Sequence, residues 1–444
     1  MRAQPLLACA CALAALGALG WHWGTFFSER ARDHAAGTSL VVFGPSGWDT
    51  LMPGVPGSEG DPVVAGLDAA FRRAHPEVGT VVHDSRGTVA DGVARLRNAY
   101  VAGDPVDVVI CAANPVNTSY ARLGLILPLT GFVAGYRDRF TSDAIANFRV
   151  GGDIWAAPLS VVNITTFFYN RDLFDRLGIR PPVSAAEFRA IAPRLKATGV
   201  IPIIHQGKNA WMWTPWFYSA LVQTTGGDHR AYLSDILAGK ARFTDPPGVA
   251  ALRRTREWID DGLLDPQSGE LDEEGMKAAF LSGRAATFLG GTWDMPGLRA
   301  NARLRWGTFP FPLIEGAAGR PRSFGGAEMG LCVARGSRQP ALARAYIEFL
   351  TRPVNARLLL MPQRPFATSA PQVSGLPGQV EDGLRRELPA EKPLEWMMPP
   401  EVNEMMQRAL QAMMTGAITP EATAAAMQQR IDTFRAESMR DASQ

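Results

Sequence analysis

The residue types that most often carry out chemistry are present in this sequence, but they do not stand at catalytic or metal-binding spacings. The histidines form no HExxH or comparable metal-binding pair. No glycine-rich loop ends in Lys-Ser or Lys-Thr, as a phosphate-binding loop does. Ser46 lies in Gly-Pro-Ser-Gly-Trp, where Trp48 replaces the second glycine that a nucleophile elbow requires. We therefore expect no metal, no cofactor and no catalytic function.

Carboxylates leave one enzymatic alternative open. Glycoside hydrolysis needs two carboxylates flanking the scissile bond, and their separation in space cannot be read from the sequence. Asp49, Asp294 and Glu328 are candidates for such a pair. An enzyme that acts on glycosides in a cleft is therefore an alternative hypothesis.

Tryptophans in loops give the more specific signal. A flat indole can stack on the apolar face of a pyranose, while Asn, Asp and Glu at the rim share hydrogen bonds with the hydroxyl groups. Each single tryptophan is equally compatible with partial burial at a domain edge, but several at loop positions together predict a sugar-binding cleft. The tryptophans concerned are Trp48, Trp211, Trp213, Trp293 and Trp396.

Length and charge restrict the remaining possibilities. A chain of 444 residues is too long for one hydrophobic core, so two or more domains are expected. An apolar fraction of 46% and a charged fraction of 20% are typical of a globular protein. The 45 basic and 43 acidic residues nearly balance, which argues against nucleic acid or an anionic membrane surface as a partner.

Residues 1–37 have the pattern of a secretory leader followed by a polar linker. A short basic start precedes an apolar run from Pro5 to Gly20, as in an export signal. Apolar character continues to Phe27, and about 20 apolar residues suffice to span a bilayer. We expect an exported protein of the periplasm or cell envelope. Whether the leader is cleaved, lipidated or kept as a membrane anchor stays open.

Two cysteines, Cys111 and Cys332, lie beyond this leader, each in an apolar strand-like run. Two widely separated cysteines form neither a disulfide framework nor a cysteine-type zinc site. Buried free thiols are one interpretation, and a single disulfide in an exported protein is the other.

The predicted elements alternate between strands and helices in the first part of the chain. Strands are predicted over 39–43, 78–83 and 106–111, with helical stripes between them. Such alternation predicts parallel pairing with right-handed crossovers, and ligands then bind beyond the carboxyl ends of the strands. A second α/β region continues to the last helices, whose methionine stripe we assign to the core.

The stretch from Gly151 to Pro182 is the predicted point at which the chain passes from one α/β unit to the next. A tight turn leads into a β-branched and aromatic strand from Ile164 to Tyr169. Asn170-Arg171-Asp172 then begins a short helix that Gly178 ends. Later, 325–333 is predicted to be a single return strand.

Several short segments stand in a fixed order between about residues 38 and 436. The most specific is AFLSGRAATFLGGTWD at 279–294, a helix, a Ser-Gly, a strand and then Gly-x-Trp. The others, in chain order, are LDAAFRRAHP at 67–76, PVDVVI at 105–110, LGLILPL at 123–129, WAAP at 155–158, FFYNRDLFDRLGIRPP at 167–182, FPFP at 309–312, FGGAEMGLCV at 324–333 and ARAYIEFLT at 343–351. In this ordered set the sequence resembles the extracellular solute-binding proteins of ABC-type sugar importers, the group that includes maltose-binding protein.

The resemblance implies a two-lobe periplasmic-binding-protein fold of type II, each lobe a mostly parallel sheet flanked by helices, with hinge crossovers between the lobes. One lobe would comprise 38–158 and 327–370, the other 159–326 and 371–444. Ligand would be held between them without catalysis. The ligand-binding positions implied by similarity or by loop position are Trp48, Asn114, Asn163, Trp211, Trp213, Trp293, Asp294, Glu328 and Trp396.

A neutral mono- or oligosaccharide is the ligand class that the resemblance favours, and the importer's membrane permease subunits are the implied protein partner of a monomeric chain. Val162-Asn163 and Ala112-Ala113-Asn114 replace acidic and aromatic–acidic residues of maltose-binding protein, which argues against maltose itself. A non-sugar ligand such as glycerol phosphate or a peptide stays an alternative, with Arg86, Arg322 and Arg364 available for a phosphate. A sensory or chaperone-like receptor on the same lobes is another.

Overall fold

A computed structural model describes residues 39–44, 62–86, 92–113, 115–159, 162–300, 304–317, 323–327, 329–360 and 397–441. In chain order the strands are β1 (Ser39–Gly44), β2 (Thr80–Ser85), β3 (Val108–Ala112), β4 (Ile126–Leu127), β5 (Arg149–Val150), β6 (Asp153–Ile154), β7 (Ala157–Pro158), β8 (Val162–Asn170), β9 (Ile201–Ile204), β10 (Ala285–Gly291), β11 (Trp306–Phe309), β12 (Phe324–Ala327) and β13 (Met329–Ala334).

Helices occur between these strands and after the last of them in the described chain. They are α1 (Pro62–Ala74), α2 (Gly92–Ala102), α3 (Pro115–Arg122), α4 (Thr130–Gly135), α5 (Ser142–Asn147), α6 (Arg171–Leu177), α7 (Ala185–Lys196), α8 (Thr214–Thr224), α9 (His229–Ala238), α10 (Pro246–Asp260), α11 (Glu273–Leu281), α12 (Met295–Ala300), α13 (Pro340–Thr351), α14 (Pro353–Leu360), α15 (Pro400–Met414) and α16 (Pro420–Asp441). Short 3-10 helices cover Arg137–Arg139, Ala210–Trp213, Pro266–Glu270 and Thr292–Asp294.

The described residues divide into two compact units. The first unit contains 39–159 and 329–360, and the second contains 162–327 and 397–441. The chain therefore passes out of the first unit just before β8 and returns to it at β13.

The first unit is built on a sheet with strand order β2-β1-β3-β13-β4, and β7 pairs with β13 beside this path. β1 is parallel to both β2 and β3, whereas β13 runs antiparallel to β3, β4 and β7. Its core includes Leu96, Val109, Phe148 and Cys332, all fully buried. β5 and β6 form a separate hairpin.

The second unit is built on a sheet with strand order β11-β8-β10-β9, and β12 pairs with the first half of β8. β9 and β10 are parallel, while β10, β11 and β12 all run antiparallel to β8. The main core joins Phe167 of β8 to α8, α10 and the two last helices. Met406 and Met413 of α15 are fully buried in it, which confirms the methionine stripe as core.

Local signals around β8 act as the sequence predicts. The Asn170 side chain accepts a hydrogen bond from the Leu173 N–H and caps α6. Gly178, at φ 58°, ends that helix in the left-handed conformation. Ser184 caps α7 through the Glu187 N–H, and the Glu187 carboxylate accepts a hydrogen bond from the Val183 N–H.

Two sequence expectations about the sheets are wrong in detail. The sheets are mixed rather than mostly parallel, because β8 and β13 enter their sheets directly from the other unit. They are not joined to their neighbours by a helical crossover, so nothing forces parallel pairing. The single return strand predicted over 325–333 is two strands, since β12 pairs with β8 in the second unit and β13 pairs with β3 in the first.

The two cysteines form a disulfide that joins β3 to β13. The Cα atoms of Cys111 and Cys332 lie 6.3 Å apart, and the bond closes a sequence separation of 221 residues. Both residues are fully buried. Of the two interpretations left open by the sequence, the structure supports the disulfide.

Candidate functional site

The carboxyl ends of β9 and β10 bring two of the predicted tryptophans together. Because these strands are parallel neighbours, the loops that follow them leave the sheet at the same edge. Each loop contains a 3-10 helix, Ala210–Trp213 after β9 and Thr292–Asp294 after β10. The ring centroids of Trp211 and Trp293 are 5.7 Å apart, and their planes are inclined by 55°. We call these two rings the indole pair.

The indole pair is accessible at this edge. Trp211 is 40% exposed, and Trp293 is partly buried. Two adjacent indoles that both reach the surface form a contiguous apolar patch, and contiguous patches, unlike single exposed side chains, often mark a binding surface. The pair therefore presents ring surface to solvent at this edge.

Two glycines before Trp293 provide the space that its ring and the next carboxylate occupy. A Cβ atom on Gly291 would lie 2.2 to 2.4 Å from three adjacent ring carbons of Trp293. A Cβ atom on Gly290 would lie 2.3 Å from Oδ2 of Asp294. The ring of Trp293 therefore rests on the backbone of Gly291, which covers one part of the indole and leaves the remainder for contact.

Asp294 fixes this turn and is not free to bind a ligand. It is fully buried, its Oδ2 accepts a hydrogen bond from the Gly291 N–H at 2.9 Å, and its Oδ1 lies 2.8 Å from Nζ of Lys277. Burial raises the pKa of Asp294 above its usual value, and the Lys277 ammonium opposes that rise. The similarity had placed Asp294 among the ligand contacts, whereas here its carboxylate supports the turn beneath Trp293.

Lys277 of α11 completes this buried charge arrangement. Its ammonium also contacts the carboxylate of Glu273 one helical turn earlier. Burial disfavours the charged form of Lys277, but the carboxylates of Asp294 and Glu273 outweigh it and raise the pKa of Lys277. Helix α11 is thereby tied to the turn that carries Trp293.

The same turn is also tied to β8. Oγ1 of Thr292 accepts a hydrogen bond from the Ile164 N–H at 3.2 Å. Asn163, the preceding residue, lies in β8 opposite Gly326 of β12. The amino end of β8 and the carboxyl end of β12 thus lie at the edge that holds the indole pair. The side chain of Asn163 is outside the described residues, so its role stays a prediction.

Trp213 belongs to the core and is not part of this surface. It is fully buried, its indole Nε1–H donates to the Gly207 carbonyl at 2.9 Å, and its ring lies edge-on to His205 at 4.6 Å. A Cβ atom on Gly207 would lie 2.4 Å from the Trp213 ring. The expectation that Trp213 stacks on a ligand does not fit this position, because no face of its ring is accessible.

The loop that carries Trp211 is held by a helix that the sequence analysis did not connect with the site. Nε2 of Gln411, on α15, donates to the carbonyls of Gly207 at 2.8 Å and Lys208 at 3.2 Å. Nδ2 of Asn209 donates to Oε1 of Gln206 at 2.6 Å within the loop. In the sequence, the only signal at Gln411 is a polar residue within the methionine-rich helix.

The guanidinium of Arg86, a candidate phosphate ligand, is engaged by a carboxylate at the carboxyl end of β2. Its Nε and one terminal nitrogen donate to the two oxygens of Asp84 at 2.6 and 2.7 Å. The Asp84 carboxylate raises the pKa of Arg86. Arg86 is therefore already neutralised by a partner, which weakens the phosphate alternative at this position.

Several predicted site residues lie outside the described residues, so their roles stay predictions. These are Trp48, Asn114, Glu328 and Trp396, together with Asp49, Arg322 and Arg364 of the alternative hypotheses.

In the described part of the chain, no group of three or more His, Cys, Asp and Glu residues is arranged to hold a metal ion. Within the same residues, no helix has the length and apolarity to cross a membrane.

Comparison with known proteins gives a family and a fold. The family model described as bacterial extracellular solute-binding protein matches residues 56–357. A multiple sugar-binding protein of Streptococcus mutans is 21% identical over 285 residues, which is 63% of this chain and 66% of that protein. The matched stretches cover about two thirds or less of the first curated relatives.

Solved structures cover more of the chain. A chitin oligosaccharide binding protein, 21% identical, superposes with a TM-score of 0.77 over 90% of this chain and 99% of its own. A solute-binding protein in complex with raffinose, 16% identical, superposes with a TM-score of 0.71 over 89% of this chain and 99% of its own. This chain therefore has the two-lobe α/β fold of periplasmic binding proteins.

Proposed function

The chain belongs to the family of bacterial extracellular solute-binding proteins, and from this premise we propose that it captures a neutral carbohydrate and delivers it unaltered to an ABC-type importer. Membership of an extracellular family makes it an exported protein of the cell envelope.

The indole pair is the observation that supports carbohydrate as the ligand. Trp211 and Trp293 present ring surface at the carboxyl edge of the second unit's sheet, where ligands of open α/β sheets bind. Indole faces stack on the apolar faces of pyranoses, and neither ring carries a formal charge. The names of the relatives agree, since they describe binding of multiple sugars, a chitin oligosaccharide and raffinose by those proteins.

Delivery implies a membrane partner. We propose that the loaded protein, acting as a monomer, docks on the permease subunits of the importer and releases the sugar there. The leader over residues 1–37 would either be removed on export or remain as an anchor. The permease partner rests on the family, and the leader rests on the sequence pattern.

Titration of the exported chain with a panel of mono- and oligosaccharides tests this function. We expect at least one carbohydrate to bind, with calorimetric heat and a raised midpoint of thermal unfolding. Trp293→Ala should weaken that binding at least about tenfold, because it removes a stacking surface.

A matched control uses another partly buried indole of the same unit. Trp306→Phe, in β11, changes a ring that lies outside the pair and whose centroid is 5.6 Å from that of Phe168. The affinity of this variant should stay at the wild-type value. Absence of binding to every sugar in the panel, with the protein folded, would refute the proposed function. Equal affinity of Trp293→Ala and wild type would remove Trp293 from the site.

A further inference from the structure

Charged residues are divided unevenly between the two units. Among the described residues, basic side chains clearly outnumber aspartate and glutamate in the first unit, whereas the two signs nearly balance in the second. The small net charge of the whole chain therefore conceals a basic first unit. Overall balance argues against an anionic surface as a partner of the chain, but that argument does not apply to the first unit.

Helix α14 of the first unit exposes apolar and basic side chains on one side. Val354 is 65% exposed, and Leu358, one helical turn later, is 48% exposed, so the two form a contiguous apolar stripe. Arg357 is exposed next to Leu358 and has no carboxylate partner among the described residues. The opposite side of the helix is buried through Ala356 and Leu359. The stripe is therefore surplus to the packing of the helix.

The carboxyl end of α1 adds two more arginines next to this helix. α1 packs against α13 and α14, and the ring centroid of Phe71 lies 5.5 Å from that of Phe349, near the end of α13. Arg72 and Arg73 follow Phe71, are exposed, and also lack a carboxylate partner within the described chain. We call the exposed residues of these two helices the basic surface, which consists of Arg72, Arg73, Val354, Arg357 and Leu358.

The carboxylates beside this surface are engaged by other groups. Glu348 of α13 is shared by two guanidinium groups, those of Arg352 at 2.8 Å and Arg139 at 2.9 Å. Glu77, after the end of α1, lies 3.0 Å from Nδ1 of His75. Neither carboxylate contacts an arginine of the basic surface, so that surface attracts anions.

We propose that the basic surface docks on a bilayer that contains anionic lipid, with its arginines on the headgroup phosphates and its valine and leucine at the boundary of the acyl region. Arginine is attracted to anionic headgroups, and apolar side chains on the same side add burial, as in helices that lie on membranes. An acidic protein would explain the arginines but not an aliphatic stripe that projects from a helix. Anionic lipid accounts for both.

The order of the chain favours the same partner. Residues 28–38 lie between the apolar run of the leader and β1, and such a length spans at most about 40 Å. If cells retain the leader as an anchor, the first unit is held close to the bilayer. If they remove it, the basic surface gives the protein a reversible membrane contact of its own.

Hydrogen exchange of the full chain on lipid vesicles tests this docking. Vesicles of phosphatidylcholine are compared, at low salt, with vesicles in which about a third of the lipid is anionic phosphatidylglycerol. Peptides of α14 and of the carboxyl end of α1 should exchange at least about threefold more slowly on the anionic vesicles. Peptides of α15 in the second unit should not change, and 0.5 M salt should remove the protection, since about 3 to 4 Å is then the screening length.

A matched pair of double variants localises the contact. Val354→Ser with Arg357→Gln removes one aliphatic side chain and one charge from the basic surface, and the protection of α14 should disappear. Val183→Ser with Arg180→Gln removes the same two kinds of side chain from the second unit, where Val183 is 54% exposed and Arg180 is exposed. This control should keep the protection. If circular dichroism shows that the first variant is unfolded, Arg357→Glu alone replaces it.

Every other result contradicts the proposal. Equal exchange of α14 on the two kinds of vesicle refutes docking on anionic lipid. Protection that survives the loss of Val354 and Arg357 places the lipid contact elsewhere. Protection that requires permease subunits in neutral vesicles assigns the basic surface to an acidic protein instead. The outcome is independent of the proposed function, because sugar titration of the same variants measures carbohydrate binding separately.

Discussion

Gly291 and Asp294 hold the ring of Trp293 by two different means. Gly291 has no side chain, and the indole occupies the space that a Cβ atom would take. Asp294 accepts a hydrogen bond from the Gly291 N–H and pairs with Lys277, so the turn cannot unwind without breaking the ion pair of a fully buried carboxylate. Five consecutive residues, Gly290 to Asp294, thus contain the aromatic ring and the part of its support that lies nearest in the chain.

Replacing Gly291 with alanine should weaken carbohydrate binding without affecting the fold. Gly291 has an extended backbone with φ −147°, which alanine adopts freely, so the effect comes from collision with the Trp293 ring. We expect affinity at least about tenfold below wild type by calorimetry.

Gly297→Ala is the matched control for that experiment. A Cβ atom on Gly297, in α12, meets nothing within 4 Å, so this variant should bind as wild type does. Wild-type affinity of Gly291→Ala would show that the position of the Trp293 ring does not matter for binding.

His205, beneath the Trp211 loop, makes the stability of the second unit sensitive to acid. Burial lowers the pKa of His205 to about 3 from an ordinary value of 6.5. The unfolded chain therefore binds a proton below pH 6.5 that the folded chain refuses, and stability falls as the pH drops from 6.5 towards 3. Between pH 8 and pH 5 this one group should cost about 2 kcal/mol.

Urea unfolding of wild type and His205→Gln at pH 8 and pH 5 measures that contribution. Glutamine does not titrate, so the stability difference between the two proteins should shrink by about 2 kcal/mol at the lower pH. Comparing the unfolding free energy of each protein at pH 5 with its own value at pH 8 cancels the pH-independent cost of the altered core contact. If the stability difference between wild type and His205→Gln is the same at both pH values, His205 has the same pKa in the folded and the unfolded chain.

Trp211 and Trp213 show where residue-level prediction from the sequence ends. Both were expected to bind ligand, but one is 40% exposed and the other fully buried. They lie two positions apart in a 3-10 helix, which has three residues per turn and directs such residues to different sides. The composition of the loop gives no indication of which side faces the core. The Gly-x-Trp turn after β10 was predictable because the glycines and Asp294 that shape it are neighbours in the chain, although Lys277 and Ile164 also hold it.

At the scale of elements, the passage into the second unit at β8 was predictable, whereas the division of the return segment into β12 and β13 was not. The caps of α6 and α7 were read correctly from Asn170, Gly178 and Ser184. The residues from 325 to 333 are glycine or apolar apart from Glu328, and no Pro, Asn or Asp marks the change of sheet between β12 and β13. Pairing partners more than a hundred residues away decided that break.

The disulfide between β3 and β13 should stabilise the first unit alone. Cys332 lies on the strand by which the chain returns, so the bond joins the two separated segments of this unit. Its closure of 221 residues restricts the unfolded chain, and loss of such a bond typically costs about 2 to 5 kcal/mol.

Hydrogen exchange on a Cys111→Ala, Cys332→Ala double variant separates the two units. Peptides of β1 and β3 should exchange faster than in wild type, while peptides of β9 and β10 keep their protection. Reduced protein without substitutions should behave like the double variant. Equal loss of protection in both units would contradict a stabilisation confined to the first.

At the scale of the whole molecule, charge distinguishes the favoured ligand class from the phosphate alternative. The chain carries a formal net charge of only +2, and Arg86 is engaged by Asp84. A neutral carbohydrate bound by stacking and hydrogen bonds has little charge to screen, so its affinity should change less than about twofold between 0.05 and 0.5 M salt. A phosphate ester held by arginine would instead lose affinity over that range, because salt shortens the reach of the electrostatic attraction.

Calorimetry with the best sugar and with its phosphorylated form measures both cases on one protein. Steep salt dependence for the sugar, or tighter binding of the phosphate, would favour the anionic ligand.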